Sequence, residues 1–159
     1  MERKKINVYV MVGLPGAGKD TWIANNLPEA HKVVCRDDIR AELGYCKEGD
    51  KVVLSSDKEN HVSEVFNERF IDAVAANKDV VLNNINLKKQ YREAYKALLK
   101  DNRLDDVDWV YVYVEARDME TLLHRRTTIP FNVYESMIDK FDWPRPGEYN
   151  DLYIVKSVQ

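Results

Sequence analysis

The sequence has few features that would brace a chain from outside its own core. Only two cysteines, Cys35 and Cys46, occur among 159 residues. They form no disulfide framework and lack metal-ligand spacing, which points to a reducing compartment. The three histidines, His31, His61 and His124, are too scattered to suggest a metal centre. No apolar run approaches the roughly 18 residues of a membrane span. The opening stretch MERKKINVYVMVG reaches a glycine-rich turn after about seven apolar-rich residues, too few for a secretory leader with its cleavage site. The expectation is a cytoplasmic protein with no membrane partner. Charge of one sign is also scarce: 24 Lys and Arg stand against 27 Asp and Glu, a net −3. That argues against a partner held by a broadly basic surface, though not against a local basic groove. There is no repeat, low-complexity tract or linker. The composition, 45% hydrophobic and 32% charged, is that of a globular protein, and the length suits one domain over 1–159.

What is present alternates. Ile6 to Val12 is a short β-branched run that predicts a buried strand. Further strands are predicted over 31–35, 79–82, 107–114 and 152–155. Between them, helical patterns cover 21–27, 37–43, 57–77, 88–100, 118–124 and 130–141. In the longest, Val62, Val65, Phe66, Phe70, Ala73 and Val74 recur at three- and four-residue spacing and share a face. In the next, Tyr91, Ala94, Tyr95, Leu98 and Leu99 are the expected core face. Asp118 is a plausible N-cap, and Pro130 is expected in a first helical turn. Strands alternating with helices predict a parallel sheet of about five strands covered on both faces. Ligands in such sheets sit beyond the C-terminal strand ends.

The first strand runs into Gly13-Leu-Pro15-Gly16-Ala17-Gly18-Lys19-Asp20-Thr21. Glycines 13, 16 and 18 let the backbone curl so that its N–H groups surround an anion. Lys19 adds a compact charge for the β- and γ-phosphates of a nucleoside triphosphate, and the following helix points its positive end at the same place. Strand, turn, lysine and helix in this order predict a P-loop NTPase fold with ATP in the loop. The strict motif has Ser or Thr directly after the lysine to hold Mg2+; here Asp20 stands there and Thr21 follows. Asp20 and Thr21 are therefore the candidate magnesium residues, and Asp20 would serve equally as a helix cap.

The second strand leads into Cys35-Arg36-Asp37-Asp38-Ile39-Arg40. A kinase acting on an alcohol benefits from a carboxylate that accepts the hydroxyl proton, and an arginine beside it can clamp a phosphate. Either aspartate would also cap a helix. Arg125 and Arg126 follow the helix after the fourth strand, where a closing lid would deliver cationic charge to the transferring phosphoryl group; a helix C-terminus favours cations in any case.

Gly-Leu-Pro-Gly-Ala-Gly-Lys followed about fifteen residues later by Arg-Asp-Asp-Ile-Arg resembles the kinase domain of phage-type polynucleotide 5′-kinases and their zeta-toxin-like relatives. The likeness continues more weakly through Asn84-Ile-Asn86-Leu87, Ile129-Pro130-x-x-Val133-x-x-Ser136-Met137 and Glu148 to Val155. It implies Asp37 as general base and Arg40 as a residue holding an acceptor that is DNA or RNA with a free 5′-hydroxyl. Arg36 and Asp38, from their place at the second strand's exit, and Asn84 and Asn86, in the element that resembles the family's, are the further acceptor candidates. Two features depart from the family: its acidic residue after the third strand is Asn84 here, and the lid segment from His124 to Pro130 is short. A hydroxymethyl-pyrimidine in DNA, or a small nucleoside or nucleotide, is the alternative acceptor. A nucleotide-binding switch without an acceptor is the second alternative.

Two weaker signals remain. Lys88, Lys89 and Arg92 read first as a solvated helix face and second as contacts to a nucleic-acid backbone. Trp143, in a proline-rich loop, reads first as packing for that loop and second as a surface for a base.

Overall fold

The computed structural model describes residues 5–27, 32–46, 54–116, 118–125 and 129–156. Its elements alternate as the sequence pattern predicts: β1 (Asn7–Val12), α1 (Lys19–Asn26), β2 (Lys32–Val34), α2 (Arg36–Glu42), α3 (Ser56–Ala75), β3 (Val80–Leu82), α4 (Lys89–Asp101), β4 (Asp108–Glu115), α5 (Met119–Arg125), α6 (Phe131–Asp139) and β5 (Asp151–Lys156). The strands form one parallel sheet in the order β2-β3-β1-β4-β5. Val10 of β1 lies between Leu82 of β3 and Tyr111 of β4. This is the α/β architecture of a P-loop NTPase, with β1 at the centre and its following loop at the C-terminal edge of the sheet. Among the described residues, no helix is long and apolar enough to cross a membrane, and both cysteines are free.

Side-chain alternation divides the core into two layers. Trp109 and Tyr111 of β4 pack with α3 and Leu99 of α4 on one face; Val110, Val112 and Val114 pack toward Trp22 and Ile23 of α1 on the other. The apolar stripe of α3 is buried at Val62, Phe66, Phe70, Ala73 and Val74, and Ser55 caps the helix by accepting from Lys58 N at 3.3 Å. Asp118 caps α5 by accepting from Thr121 N at 2.6 Å. Pro130 is the N-cap of α6, one position before the first turn expected for it.

Helix α4 is rotated relative to its expected face. Tyr91, predicted inside, is 48% exposed, and Arg92, predicted on the solvated face, is fully buried. The guanidinium of Arg92 explains the rotation. Its Nη1 donates to the carbonyls of Asn86 and Leu87, each at 3.0 Å, and its Nε donates to Glu148 Oε1 at 3.2 Å. The other carboxylate oxygen of Glu148 accepts from Arg145 N at 2.7 Å, and Lys96 donates to the Glu148 carbonyl. A buried charge is tolerated only when paired and hydrogen bonded. The pair therefore fastens α4, the β3 exit and the loop before β5 to one another. Arg92→Ala takes the guanidinium away from the buried Glu148 carboxylate, and urea unfolding should show a loss of about 3 kcal/mol. Arg92→Met combined with Glu148→Gln should restore most of it.

Candidate active site

The loop after β1 is held at both ends by backbone geometry. Gly13 N donates to Ile85 O at 3.0 Å, and a Cβ at position 13 would come within 2.9 Å of Val114 O. Only glycine lets β1 leave the sheet between its two neighbours. Gly18, the N-cap of α1, has φ 111°, a left-handed conformation that a side chain would strain. Lys19 opens α1 and reaches back across the loop, its Nζ donating to Gly13 O at 2.7 Å and Leu14 O at 3.1 Å. From the opposite side, buried Tyr134 of α6 donates to Pro15 O at 2.9 Å. Ala17 is buried, whereas Asp20 and Thr21 are exposed.

Asp20 is fixed from the end of β3. Asn83 Nδ2 donates to Asp20 Oδ1 at 2.6 Å, and the carboxylate dictates that the amide present its NH2. The opposite amide atom, Asn83 Oδ1, is buried without a hydrogen-bond partner among the described residues. Among the described residues no group of three or more His, Cys, Asp or Glu side chains gathers. Asp20 presents one exposed carboxylate in the first turn of α1, a donor of the kind magnesium takes when it keeps waters and phosphate oxygens in its other positions.

The next residue, Asn84, serves the other side. Its Oδ1 accepts from Arg36 N at 3.0 Å and its Nδ2 donates to Tyr95 Oη at 3.1 Å. Tyr95 Oη donates to Asn86 Oδ1 at 2.5 Å, and Asn86 Nδ2 donates to Met11 O at 2.7 Å and Leu82 O at 3.2 Å. Burial pushes the Tyr95 phenol up to about 12, so it remains a donor. This chain of amides ties the exits of β2, β3 and β1 together. Asn86 was expected with the acceptor; instead it is 2% exposed, adopts φ 48° and turns its side chain into the sheet. Asn tolerates that backbone better than most residues.

Helix α2 presents Asp37 and Asp38 in its exposed first turn. Arg40 Nη1 donates to Asp37 Oδ1 at 2.6 Å, while its Nε and Nη2 grip Glu59 of α3 at 2.9 and 3.2 Å. Arg36 donates to the same Glu59 at 2.8 Å and to Ser63 Oγ at 3.0 Å, so its guanidinium points at α3. The hydrogen bond from Arg40 holds the Glu59 carboxyl below the usual carboxylate range, helped by Arg36. Cys35, just before α2, is pushed up to about 11 by burial and stays a thiol. Arg125 is the last residue of α5; its side chain lies outside the described residues, as does Arg126 altogether.

The loop, Asp37 and the β3 exit thus meet at one edge of the sheet. Asn83, Tyr95, Glu59, Ser63 and Tyr134 join them as supports that sequence reasoning missed. Glu59 and Ser63 lie one helical turn apart, a visible signal of a shared face, but nothing in the sequence names α2 as what that face meets.

A family model described as an AAA domain matches residues 8–142. The chain belongs to the AAA domain family. No curated protein matches the sequence. Among solved structures it is similar to a chain of the Pnkp1/Rnl/Hen1 RNA repair complex, with TM-score 0.70, 17% identity, and coverage of 87% of this chain but 45% of that one. It also resembles a gluconokinase from Sinorhizobium meliloti 1021 (TM-score 0.62, 18% identity, 98% of this chain, 86% of that chain). A sugar kinase from Janibacter sp. HTCC2649 is similar at TM-score 0.64 and 15% identity, covering 98% and 87% of the two chains. The chain spans less than half of the matched RNA repair chain. At these identities the likeness is one of fold, the P-loop kinase fold.

The depressed Glu59 carboxyl makes the α2–α3 clamp pH-dependent. A carboxyl whose folded value is lowered contributes stability that is complete above its unfolded value near 4.5 and fades as pH falls through the folded one. Calorimetric melting from neutral to acid pH should show Glu59→Gln less stable than wild type at neutral pH, with the difference narrowing in acid.

Proposed function

We propose that this chain is an ATP- and magnesium-dependent kinase that transfers the γ-phosphate to the 5′-hydroxyl of a polynucleotide. One observation carries the reading: consecutive residues of one strand exit hold the two halves of the site. Asn83 bonds Asp20 beside the loop, and Asn84 bonds the backbone N–H that starts α2, one residue before Asp37. Strands β1 and β2 flank β3, and at about 4.8 Å per neighbouring pair their ends lie about 10 Å apart, a separation that supports room for a phosphoryl group and an attacking oxygen between loop and carboxylate.

In this reading the amides of Gly13 to Gly18 and the Lys19 amine hold the β- and γ-phosphates, as the loop's curl and charge favour. Asp20 and Thr21 would hold magnesium, which supplies positive charge to the phosphate oxygens when bound. Asp37 accepts the hydroxyl proton. Arg40 occupies one of its oxygens and leaves the other for the acceptor. Arg40 and Asp38 border the acceptor, and Arg125 or Arg126 steadies the charge that spreads over the transferring group. Asn84 carries no charge and is committed to Arg36 and Tyr95; this favours, as a second reading, a smaller or base-modified acceptor in the same machinery.

Transfer from γ-labelled ATP to 5′-hydroxyl oligonucleotides, hydroxymethyl-pyrimidine duplexes and free nucleosides tests the proposal. Label should appear at the oligonucleotide 5′ end. Asp37→Asn should lower transfer by about 10²-fold or more with ATP binding retained, and Lys19→Ala should lose transfer and weaken nucleotide binding. ATP hydrolysis with no phosphorylated acceptor, or near-normal transfer by Asp37→Asn, contradicts it.

A further inference from the structure

The loop after α6 and the start of α4 meet in a small, rigid surface that the proposed chemistry does not use. Asp142 fastens them twice: its backbone N–H donates to Leu87 O at 2.8 Å, and its Oδ2 accepts from Lys89 N at 3.0 Å. The next residue, Trp143, packs on Phe141 (ring centroids 4.8 Å apart, planes at 63°) and on Tyr113 (5.0 Å, 57°), yet is 58% exposed. Phe141 in turn stacks on Tyr113 at 5.7 Å and 21°. Trp143 is therefore a supported indole with a face left to solvent, rather than a loose surface residue. Beside it, Lys88 sits 5.8 Å from the ring centroid of Tyr91, itself 48% exposed. Lys89 and Arg145 are exposed on the same two segments. The Asp142 carboxylate in the middle is already engaged as the cap of α4. In a chain of net charge −3, two exposed aromatics interleaved with three cations form a local exception.

We propose that Trp143, Tyr91, Lys88, Lys89 and Arg145 form a binding platform for single-stranded nucleic acid, with Trp143 stacking a base and the cations following the phosphates. Every base has a π-face, so aromatic platforms of this kind bind strands with little sequence preference. The cations supply the salt-dependent share of affinity. The position fits a strand whose 5′ end is at Asp37. The platform is built on residues 87–89, directly after the Asn83-Asn84-Ile85-Asn86 exit that borders the acceptor, and on Tyr113 at the C-terminal end of β4. Nucleotides downstream of the reacting one would cross it. The platform deepens the polynucleotide reading and rests on it for the identity of the 5′ end, but strand binding itself is measurable without ATP.

Single-stranded oligothymidine with a 5′-hydroxyl is the probe, as a dinucleotide and at a length of about ten nucleotides. Binding of the longer strand without ATP should quench tryptophan fluorescence, and Trp143→Ala should weaken it about tenfold while Trp143→Phe retains most affinity. Lys88→Ala and Lys89→Ala should each reduce the slope of log affinity against log salt by about 0.7. In the transfer assay Trp143→Ala should raise KM for the longer strand about tenfold, with KM for the dinucleotide and kcat for both unchanged. Far-UV circular dichroism and melting confirm that each variant folds. No binding of the longer strand at low salt overturns the platform, as does a Trp143→Ala effect equal on both lengths or absent from both. Strand binding that tracks Trp143 with no phosphorylated product upholds the platform and overturns the kinase assignment. Phosphorylation of both lengths with no dependence on Trp143 does the reverse.

Discussion

The site depends on how β1 leaves the sheet. At Gly13 the chain passes between the Ile85 carbonyl, which accepts its N–H, and the Val114 carbonyl, which leaves no room for a Cβ. That passage fixes the start of the loop to the exits of both neighbouring strands. Because β3 is one of those neighbours, the residues after Leu82 lie against the loop, and because β2 is the next strand out, the start of α2 follows at the width of one more strand. Two asparagines convert this topology into contacts, one to Asp20 and one to Arg36 N. Neutral amides suit the task, since each offers a donor and an acceptor without adding charge beside the loop.

A second layer of contacts makes the arrangement stiff. Glu59 holds both arginines of α2, which keeps the helix seated on α3 and keeps Arg40 beside Asp37. Tyr134 ties α6 to the loop through Pro15. Arg92 and Glu148 lock α4 to the segment that leads into β5, and the same rigid α4 start then carries the lysines beside Trp143. Groups that act in phosphoryl transfer contribute mainly by position and charge, and side chains held on strand ends and clamped helices keep their positions.

Much of this was legible in the sequence because it is local. The β-branched run before Gly13, the stripe of α3 and the Asp118 cap each depend on residues within a few positions of one another, and each appears where the pattern places it. The loop was legible because its glycines, lysine and following helix are contiguous. The larger misreadings are non-local. Arg92 looks like a surface cation until Glu148, 56 residues away, arrives beside it. Asn86 looks like a ligand residue until Met11 O appears on the neighbouring strand. Asn83 carries no local mark of its partner, and Glu59 shares a helix face with Ser63 without any sign of what that face meets; only the strand order and the packing of α2 on α3 give them partners. Lys88, Lys89 and Trp143 read as separate weak signals, and it is the two hydrogen bonds of Asp142 that bring them to one surface.

The central claim is that a triphosphate in the loop faces Asp37 across a gap that an acceptor hydroxyl fills. A crystal structure with a non-hydrolysable ATP analogue, magnesium and a 5′-hydroxyl oligonucleotide measures this directly. The account predicts the 5′ oxygen within about 3 Å of the Asp37 carboxylate and in line with the γ-phosphate. An analogue seated in the loop with the oligonucleotide's hydroxyl bound elsewhere, and Asp37 still joined only to Arg40, would contradict it.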